Sequence, residues 1–528
     1  MPRHAIIASA AYVDSEMQVE FGPLPPAFLP LGNRRLFVHQ ATLLRRAFDR
    51  VTLTLPAGFT PDEADAHALA DLDVDVVHVP EGRSLGESLA HAIRAAAPDA
   101  SPLALLYGDA LFEGIDLHAT DCVTALPTAP AGYRWSRVHI DGGAVAAPSP
   151  AAREAALTGY FQFADPAALV DAIERRGGDF VAGLLDYNAA RPLRVLPAGR
   201  WHDFGHVGTY HRSRRSVTTQ REFNQLTLDR RTVVKSGEPP RKIDAEARWF
   251  EGLPPALRLH TPAWLGRRSD GGYALEYLHL PTLAEMFVFG RLHGATWARV
   301  FEACDEFLGV CAAHPAPPDD APVGDGLYLP KTLARLESYA RAAAIDLAAP
   351  CRLDDVWLPS LEAIARACAA AIPPAPEGLR CLVHGDFCFS NIFYDARADV
   401  VRVIDPRGVD GADRPTMYGD LRYDVAKLYH SAIGRYDVIL AGAYRLRSDG
   451  PLQLSLELPE TAAAAAAAAA FLDRRFVGLT TAEAASLPAS VLLFLSMLPL
   501  HGDDPSRQRA LLANALRLYR RLDQGAAA

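Results

Sequence analysis

The sequence predicts two domains of different class. Residues 1–212 read as an α/β domain on a mostly parallel sheet, and residues 221–528 as an α+β domain of two lobes. Three observations predict this. Short apolar runs alternate with amphipathic helical stretches through the first 212 residues. Near residue 212 that texture gives way to apolar/polar alternation, and from about 286 onward helical patterns dominate. Finally, 528 residues exceed one compact core, at roughly 150 residues per domain.

The elements follow in order. HAIIASA (4–10), RVTLTLP (50–56), VDVVHVP (74–80) and PLALLYGD (102–109) are runs of the length and apolarity of buried strands. RLFVHQATLLRRAF (35–48) and GESLAHAIRAAA (86–97) lie between them as amphipathic helices, and strand–helix alternation implies parallel crossovers. The basic, Ser/Thr-rich run HRSRRSVTTQR (211–221) reads as the connection, with a linker at 213–220. REFNQLTLDRRTVVKSG (221–237) has the alternation of an antiparallel hairpin, and KIDAEARWFEGL (242–253) reads as helix. One strand-rich patch, 380–405, interrupts the helices that follow, and the tract Ala462–Ala470 is a strong helix former.

Composition narrows the function. Half the residues are hydrophobic and 22% are charged, as in a globular rather than a disordered chain. The net charge of −10 argues against nucleic acid or an anionic membrane as partner, so any phosphate-binding charge must be local. The seven cysteines are scattered, without CxxC or zinc spacing, and read as reduced thiols. Acidic residues follow the short N-terminal apolar run, and no window reaches about 18 apolar residues, so neither a signal peptide nor a membrane span is expected. The expectation is a cytoplasmic protein. Of 53 basic residues only four are lysine: Lys235, Lys242, Lys331 and Lys427. Against an arginine-rich background, a retained lysine points to a need for a compact, flexible charge. His202, His206 and His211 share a Gly-rich stretch without cysteine support and read as loop histidines. No G-x-S-x-G or H-E-x-x-H pattern is present.

The most specific signal is LVHGDFCFSNIFYD (382–395) followed by VRVIDPRG (401–408). Phosphoryl transfer needs a carboxylate to orient the attacking hydroxyl, and an amide oxygen and a second carboxylate to hold Mg²⁺ on the ATP phosphates. His384, Asp386, Asn391 and Asp405 have that order and spacing, and YGDLRYDVAKLYHS (418–431) follows. Together these resemble the aminoglycoside phosphotransferase and choline kinase family, with its His-Gly-Asp, Asn, Ile-Asp and Gly-Asp…Asp-Leu-Ala pattern. The resemblance covers roughly residues 220–528 and implies a two-lobed, kinase-like fold. It implies Asp386 as catalytic base or hydroxyl-orienting residue, His384 as brace of its loop, Asn391 and Asp405 as Mg²⁺ ligands, and Asp424 as structural support. It also implies a lysine on a strand, paired with a helix glutamate, to grip ATP. Lys235 and Glu246 are the expected pair, with Lys242 the competing lysine. ALEYLHLPTL (274–283) is similar to the hinge between lobes, where Glu276 and Leu278 would meet the purine. Lys331 and Lys427 are expected on the surface or in helix packing.

Four pieces of the first domain resemble sugar-phosphate nucleotidyltransferases, whose α/β fold is GT-A-like. LPPAFLPLGNRRLFVHQ (24–40) is similar to their Pro-Lys-x-Leu-Leu-Pro stretch, and GYFQF (159–163) to their Gly-(Ile/Val)-Tyr-x-Phe strand. LLYGDALF (105–112) and GRWHDFGHVGTYHRS (199–213) are similar to the segments that present two metal-binding carboxylates. The resemblance implies that Asp109 and Asp203 clamp Mg²⁺ on a second nucleotide such as CTP, UTP or GTP. The departures lie in ASAAYVDSEMQVEFG (8–22), which has alanine for glycine and Asp14, Glu16 and Glu20 where phosphate-binding charge belongs. Ala27 replaces the lysine, and Arg34 and Arg35 either substitute for the lost charge or form a solvated pair. Two readings follow. One is a bifunctional kinase and nucleotidyltransferase that acts on a sugar, polyol or amino alcohol for capsule or other surface-polysaccharide precursors. The other is an active kinase whose first domain is a degenerate binding or scaffold module.

Overall fold

The apolar run His4–Ala8 sits inside a nine-stranded sheet, paired in parallel with both Arg50–Pro56 and Leu103–Tyr107. Val74–Val79 extends the parallel set beyond Arg50–Pro56. This computed structural model describes residues 3–96, 102–127, 133, 135–217, 224–228, 231–237, 239–318 and 327–525. The chain divides into two units, Met1–Thr218 and Thr219–Ala528.

In the first unit the expected mostly parallel sheet is corrected to a mixed one. Arg153–Phe163 runs antiparallel to Leu103–Tyr107 on one side and to Cys122–Leu126 on the other. The cause is the connection. Arg137–Asp141 turns directly into Ala144–Ala146, and no helix intervenes in the described part of 108–152 to carry a parallel crossover. Apolarity alone does not encode strand direction. The central strands alternate faces: Ala5 and Ile7 pack in one core with Leu53, Leu106 and Phe37, while Ile6 packs in the other with Leu105, Val123 and Phe161. Helices Leu36–Leu44 and Leu85–Ala96 lie where helical periodicity predicts them.

A short two-stranded ladder, Ala110–Glu113 against Arg200–Asp203, pairs Asp203 with Ala110. The segment after it forms helix Val207–Val217. His202 therefore lies in a strand and His211 in a helix rather than in a loop, and the expected linker is helical up to Val217, with 218–220 outside the described residues. Arg35 does not form a solvated pair with Arg34. It is 5% exposed and grips Asp65 through two hydrogen bonds of 2.8 and 2.7 Å, while Arg34 is exposed.

The second unit opens on a four-stranded antiparallel sheet in the order Asn224–Leu228, Thr232–Gly237, Tyr273–Glu276, Trp264–Arg267. Helix Pro240–Glu251 begins with proline at a position where no N–H is needed, and it buries Ile243, Ala247, Trp249 and Phe250. A helical body follows, and its helix Ser486–Met497 is buried along its whole length. Within it the hairpin Ile392–Asp395/Val400–Val403 brings Asn391 and Asp405 to the same end, because Ile392 pairs with Val403. The expectation of a single strand-rich patch is corrected. Pro350–Leu353, Val356–Ser360, Arg445–Gly450 and Gln453–Glu457 form a further four-stranded sheet. Their short, charged sequences hide the strand pattern. Among the described residues no helix is long and apolar enough to cross a membrane.

The buried Arg35–Asp65 pair makes one prediction. Arg35→Ala removes the bidentate partner of the buried Asp65 and should cost about 3–5 kcal/mol, whereas Arg34→Ala should stay within about 0.5 kcal/mol. Urea unfolding of both variants checks this, and equal midpoints would contradict the assigned pairing.

Candidate active site

In the second unit the antiparallel register of Thr232–Gly237 points Lys235 inward, opposite Tyr273. Its ammonium donates to Glu246 Oε2 at 2.6 Å and to Asp405 Oδ1 at 2.9 Å. Tyr273 donates its hydroxyl to the same Glu246 oxygen at 2.7 Å. Burial opposes the charge on Lys235, but Asp405 and Glu246 outweigh it and raise the lysine pKa. Lys242 is exposed and reaches Glu246 only at 3.9 Å. Glu276 ends its strand, with its carboxylate accepting from Ala263 N at 3.1 Å and facing Arg402 at 3.6 Å. Leu278 is buried just beyond it.

The turn His384–Gly385–Asp386 is held from below by Asp424, which is fully buried. Its two oxygens accept the N–H groups of His384 and Gly385, each at 2.8 Å. Gly385 has φ +75°, and a Cβ there would lie 2.7 Å from Arg407 Cβ, so the turn demands glycine. His384 is fully buried. Its Nε2–H donates to Ile404 O at 2.9 Å and its Nδ1 accepts from Asp386 N at 3.2 Å, which specifies the neutral ring. Burial lowers its pKa to about 4.

Asp386 accepts from Lys427 Nζ at 2.6 Å and from Asn391 Nδ2 at 3.1 Å. Burial would raise the Asp386 carboxyl, but the Lys427 ammonium outweighs it and holds the group well below the ordinary carboxylate range. Lys427 is thus the partner of Asp386 rather than the expected surface or packing residue. Lys331 is likewise pressed toward this centre, where burial and then Arg407, Arg335 and Lys427 lower its pKa to about 6. The rarity of lysine was the signal that could have found both.

Mg²⁺ fits the donor set at this end of the hairpin. The Asn391 amide N–H₂ is committed to Asp386 O and Oδ2, which leaves its carbonyl oxygen as a donor to a cation. Asp405, at φ +56°, turns its carboxylate toward Lys235 beside it.

In the first unit Asp109 and Asp203 converge on Gly205. A Cβ there would lie 2.5 Å from Asp109 Oδ2 and 3.5 Å from Asp203 Oδ1. Burial raises both pKa values, that of Asp109 further through Asp203, and Asp203 Oδ2 is buried without a hydrogen-bond partner. An orphaned carboxylate oxygen in a two-carboxylate cradle fits a divalent cation whose other ligands come from a nucleotide. Among the described residues no group of three or more His, Cys, Asp or Glu could hold a metal. Each of the three histidines has a partner of its own: His202 contacts Glu113 at 2.9 Å, His206 stacks on Tyr133 and lies 3.6 Å from Asp14, and His211 contacts the buried Glu20 at 3.0 Å. Asp14 caps helix Ser15–Phe21 through Met17 N. Two of the three acidic residues that looked hostile to phosphate are therefore structural.

Residues 214–456 match the family model APH, the phosphotransferase enzyme family. No curated protein matches the chain. Among solved structures, the chain is similar to a UDP-glucose pyrophosphorylase complexed with UDP-glucose, at 13% identity over 41% of this chain and 98% of that one, with a TM-score of 0.31. It is similar to the inositol-1-phosphate CTP transferase from T. maritima at 14% identity, over 40% and 91% of the two chains, with a TM-score of 0.31. A third is the 2-C-methyl-D-erythritol 4-phosphate cytidylyltransferase from Thermus thermophilus, at 19% identity over 38% and 90%, with a TM-score of 0.25.

The neutral burial of His384 fixes a pH dependence. With a folded pKa of about 4 against an unfolded value near 6.5, only the unfolded state takes up the proton between those limits. Stability should therefore fall as pH drops through that window, by up to ~3 kcal/mol from this residue. Urea unfolding at several pH values should show a shallower loss in His384→Gln than in the unsubstituted protein. Parallel curves would contradict the neutral, buried ring.

Proposed function

We propose that the second unit, a two-lobed kinase-like domain, transfers the γ-phosphoryl group of ATP to the hydroxyl of a small molecule. We further propose that the first unit, a GT-A-like domain, transfers a nucleotidyl group to a phosphate ester, with Asp109 and Asp203 as metal ligands. The observation that carries the first reading is the buried Lys235–Glu246 pair with the half-exposed Asp405 against it, together with the Asp386–Asn391 contact, in a segment that matches a phosphotransferase family.

In this reading Lys235 binds ATP phosphates and Glu246 holds it in place. Glu276 and Leu278 flank the purine. Asn391 and Asp405 would hold Mg²⁺, which when bound would supply charge neutralisation to the phosphates. Asp386 accepts a hydrogen bond from the acceptor hydroxyl and aims its oxygen at the γ-phosphorus. The new bond is oxygen to γ-phosphorus, and the bond from γ-phosphorus to the β–γ bridging oxygen breaks with its electron pair leaving on ADP. The hydroxyl proton passes to Asp386 and on to water. Because Lys427 holds the carboxyl pKa low, Asp386 orients more than it stores the proton.

The orphaned Asp203 oxygen and its approach to Asp109 support the second activity. Fused in one chain, the two steps would keep the phosphate ester at high local concentration on its way to a surface-polysaccharide precursor in the cytoplasm. A specific observation favours the rival reading of a degenerate binding domain. Arg35 is locked to Asp65 and Ala27 stands in place of the lysine, so neither supplies charge for a triphosphate.

Two substitutions separate these readings. Asp386→Asn should lower ADP formation by about 10²-fold or more while pyrophosphate release from added phosphate ester continues. Asp203→Ala should abolish pyrophosphate release and spare ADP formation. Normal ADP formation in Asp386→Asn sinks the phosphotransferase assignment. Absence of pyrophosphate from the unsubstituted chain with every nucleotide establishes the rival.

A further inference from the structure

We propose that the alcohol phosphorylated by the second unit carries a negative charge of its own, a carboxylate or phosphate, seated among Lys331, Arg335 and Arg407 beside Asp386. This rests on the phosphotransferase reading above and adds the substrate class to it.

The three cations come from two places in the fold. Lys331 and Arg335 are one turn apart on helix Leu329–Ala343 and share a face. Arg335 donates to Ser496 O at 2.9 Å, at the end of the neighbouring helix. Arg407 follows the strand that delivers Asp405, and its N–H donates to His384 O at 2.9 Å. Its guanidinium lies over the Tyr423 ring, 5.7 Å from the centroid, and donates to the Tyr423 hydroxyl at 3.1 Å. Among the described residues none of the three has a carboxylate within ion-pair distance.

The surrounding carboxylates are already engaged. Asp386 is paired with Lys427 at 2.6 Å, Asp420 with Arg422 at 2.7 Å, and Asp410 with Arg414 at 2.7 Å. Asp420 and Asp410 line the same cavity as His384, Gly385, Arg407 and Tyr423. Asp386, Asp420 and Asp410 are thus each neutralised, while Lys331, Arg335 and Arg407 have no carboxylate within ion-pair distance among the described residues. Tyr328, just before the helix that carries Lys331, packs on Tyr423 beneath Arg407 with ring centroids 5.9 Å apart. Half-buried basic groups without a counter-charge are unfavourable, and an arriving anion removes that penalty through charge-assisted hydrogen bonds. Lys331 reports the crowding of positive charge: burial first, then Arg407, Arg335 and Lys427, lower its pKa to about 6, and an anion seated there restores its proton. A cationic amino alcohol would meet the same field as repulsion, so this charge set selects against it.

Isothermal titration calorimetry of the full chain, without nucleotide, tests the inference with four probes: D-glucuronate, D-glucose 6-phosphate, D-glucose and D-glucosamine. At least one anionic sugar should bind tenfold or more tightly than D-glucose, with D-glucosamine weakest, and the arm that binds distinguishes carboxylate from phosphate. Lys331→Met and Arg335→Gln should each weaken the anion tenfold or more while leaving ATP–Mg²⁺ affinity within twofold. If Arg335→Gln does not fold, Lys331→Met still decides, because removal of an unpaired charge should not lower its thermal midpoint. No binding of either anion, equal affinity for all four sugars, or anion affinity untouched by the substitutions overturns the proposal. Anion binding as described, but no ADP with any acceptor, would instead overturn the phosphotransferase reading and leave the anion site standing.

Discussion

The second unit depends on one buried carboxylate. Asp424 is fully buried, and a carboxylate removed from water must find its hydrogen-bond donors in the protein. It finds them in the N–H groups of His384 and Gly385. That requirement fixes the turn, and the turn fixes where Asp386 begins. One turn further along the same helix, Lys427 pairs with the Asp386 side chain. A single helix, Arg422–Ala432, therefore sets both the backbone and the charge of the Asp386 carboxylate. The hairpin that carries Asn391 and Asp405 is tied to the same turn through His384 and Ile404 O.

Parts of this were legible in the sequence for a physical reason: they are local. The spacing of His384, Asp386, Asn391 and Asp405 lies within one loop and one hairpin, so the motif carries its own geometry. Lys235 and Glu246 lie 11 positions apart on adjoining elements, and the alternation of the strand predicts the inward face. Lys331, Arg335 and Arg407 were not legible, because a helix and a distant loop bring them together. The scarcity of lysine pointed toward Lys331 and Lys427, yet position along a helix alone does not reveal which side faces the His384–Asp386 turn. In the first unit the strand runs were legible and their directions were not, since direction follows the connections rather than the apolar pattern. Arg35 looked like half of a surface pair because Asp65, its partner, lies 30 residues away.

Charge is used economically in this chain. With a net charge of −10, positive potential must be built locally, and around Asp386 this is done by pairing Asp386, Asp420 and Asp410 each with its own cation. The first unit does the opposite at Asp109 and Asp203, where burial and mutual repulsion leave two carboxylates in want of a cation. One unit thus presents surplus positive charge and the other surplus negative charge, each inside a cavity or cradle rather than on the surface. That contrast matches the proposed division of labour, with an anionic acceptor in one unit and a metal-bound nucleotide in the other.

The central claim is that the Asp386 centre moves a phosphoryl group from ATP to an alcohol, and ³¹P NMR reads it directly. The full chain with ATP, Mg²⁺ and either D-glucuronate or D-glucose 6-phosphate should produce a new phosphate-ester resonance in step with ADP. ATP left intact, or ADP accompanied only by inorganic phosphate, would contradict the account.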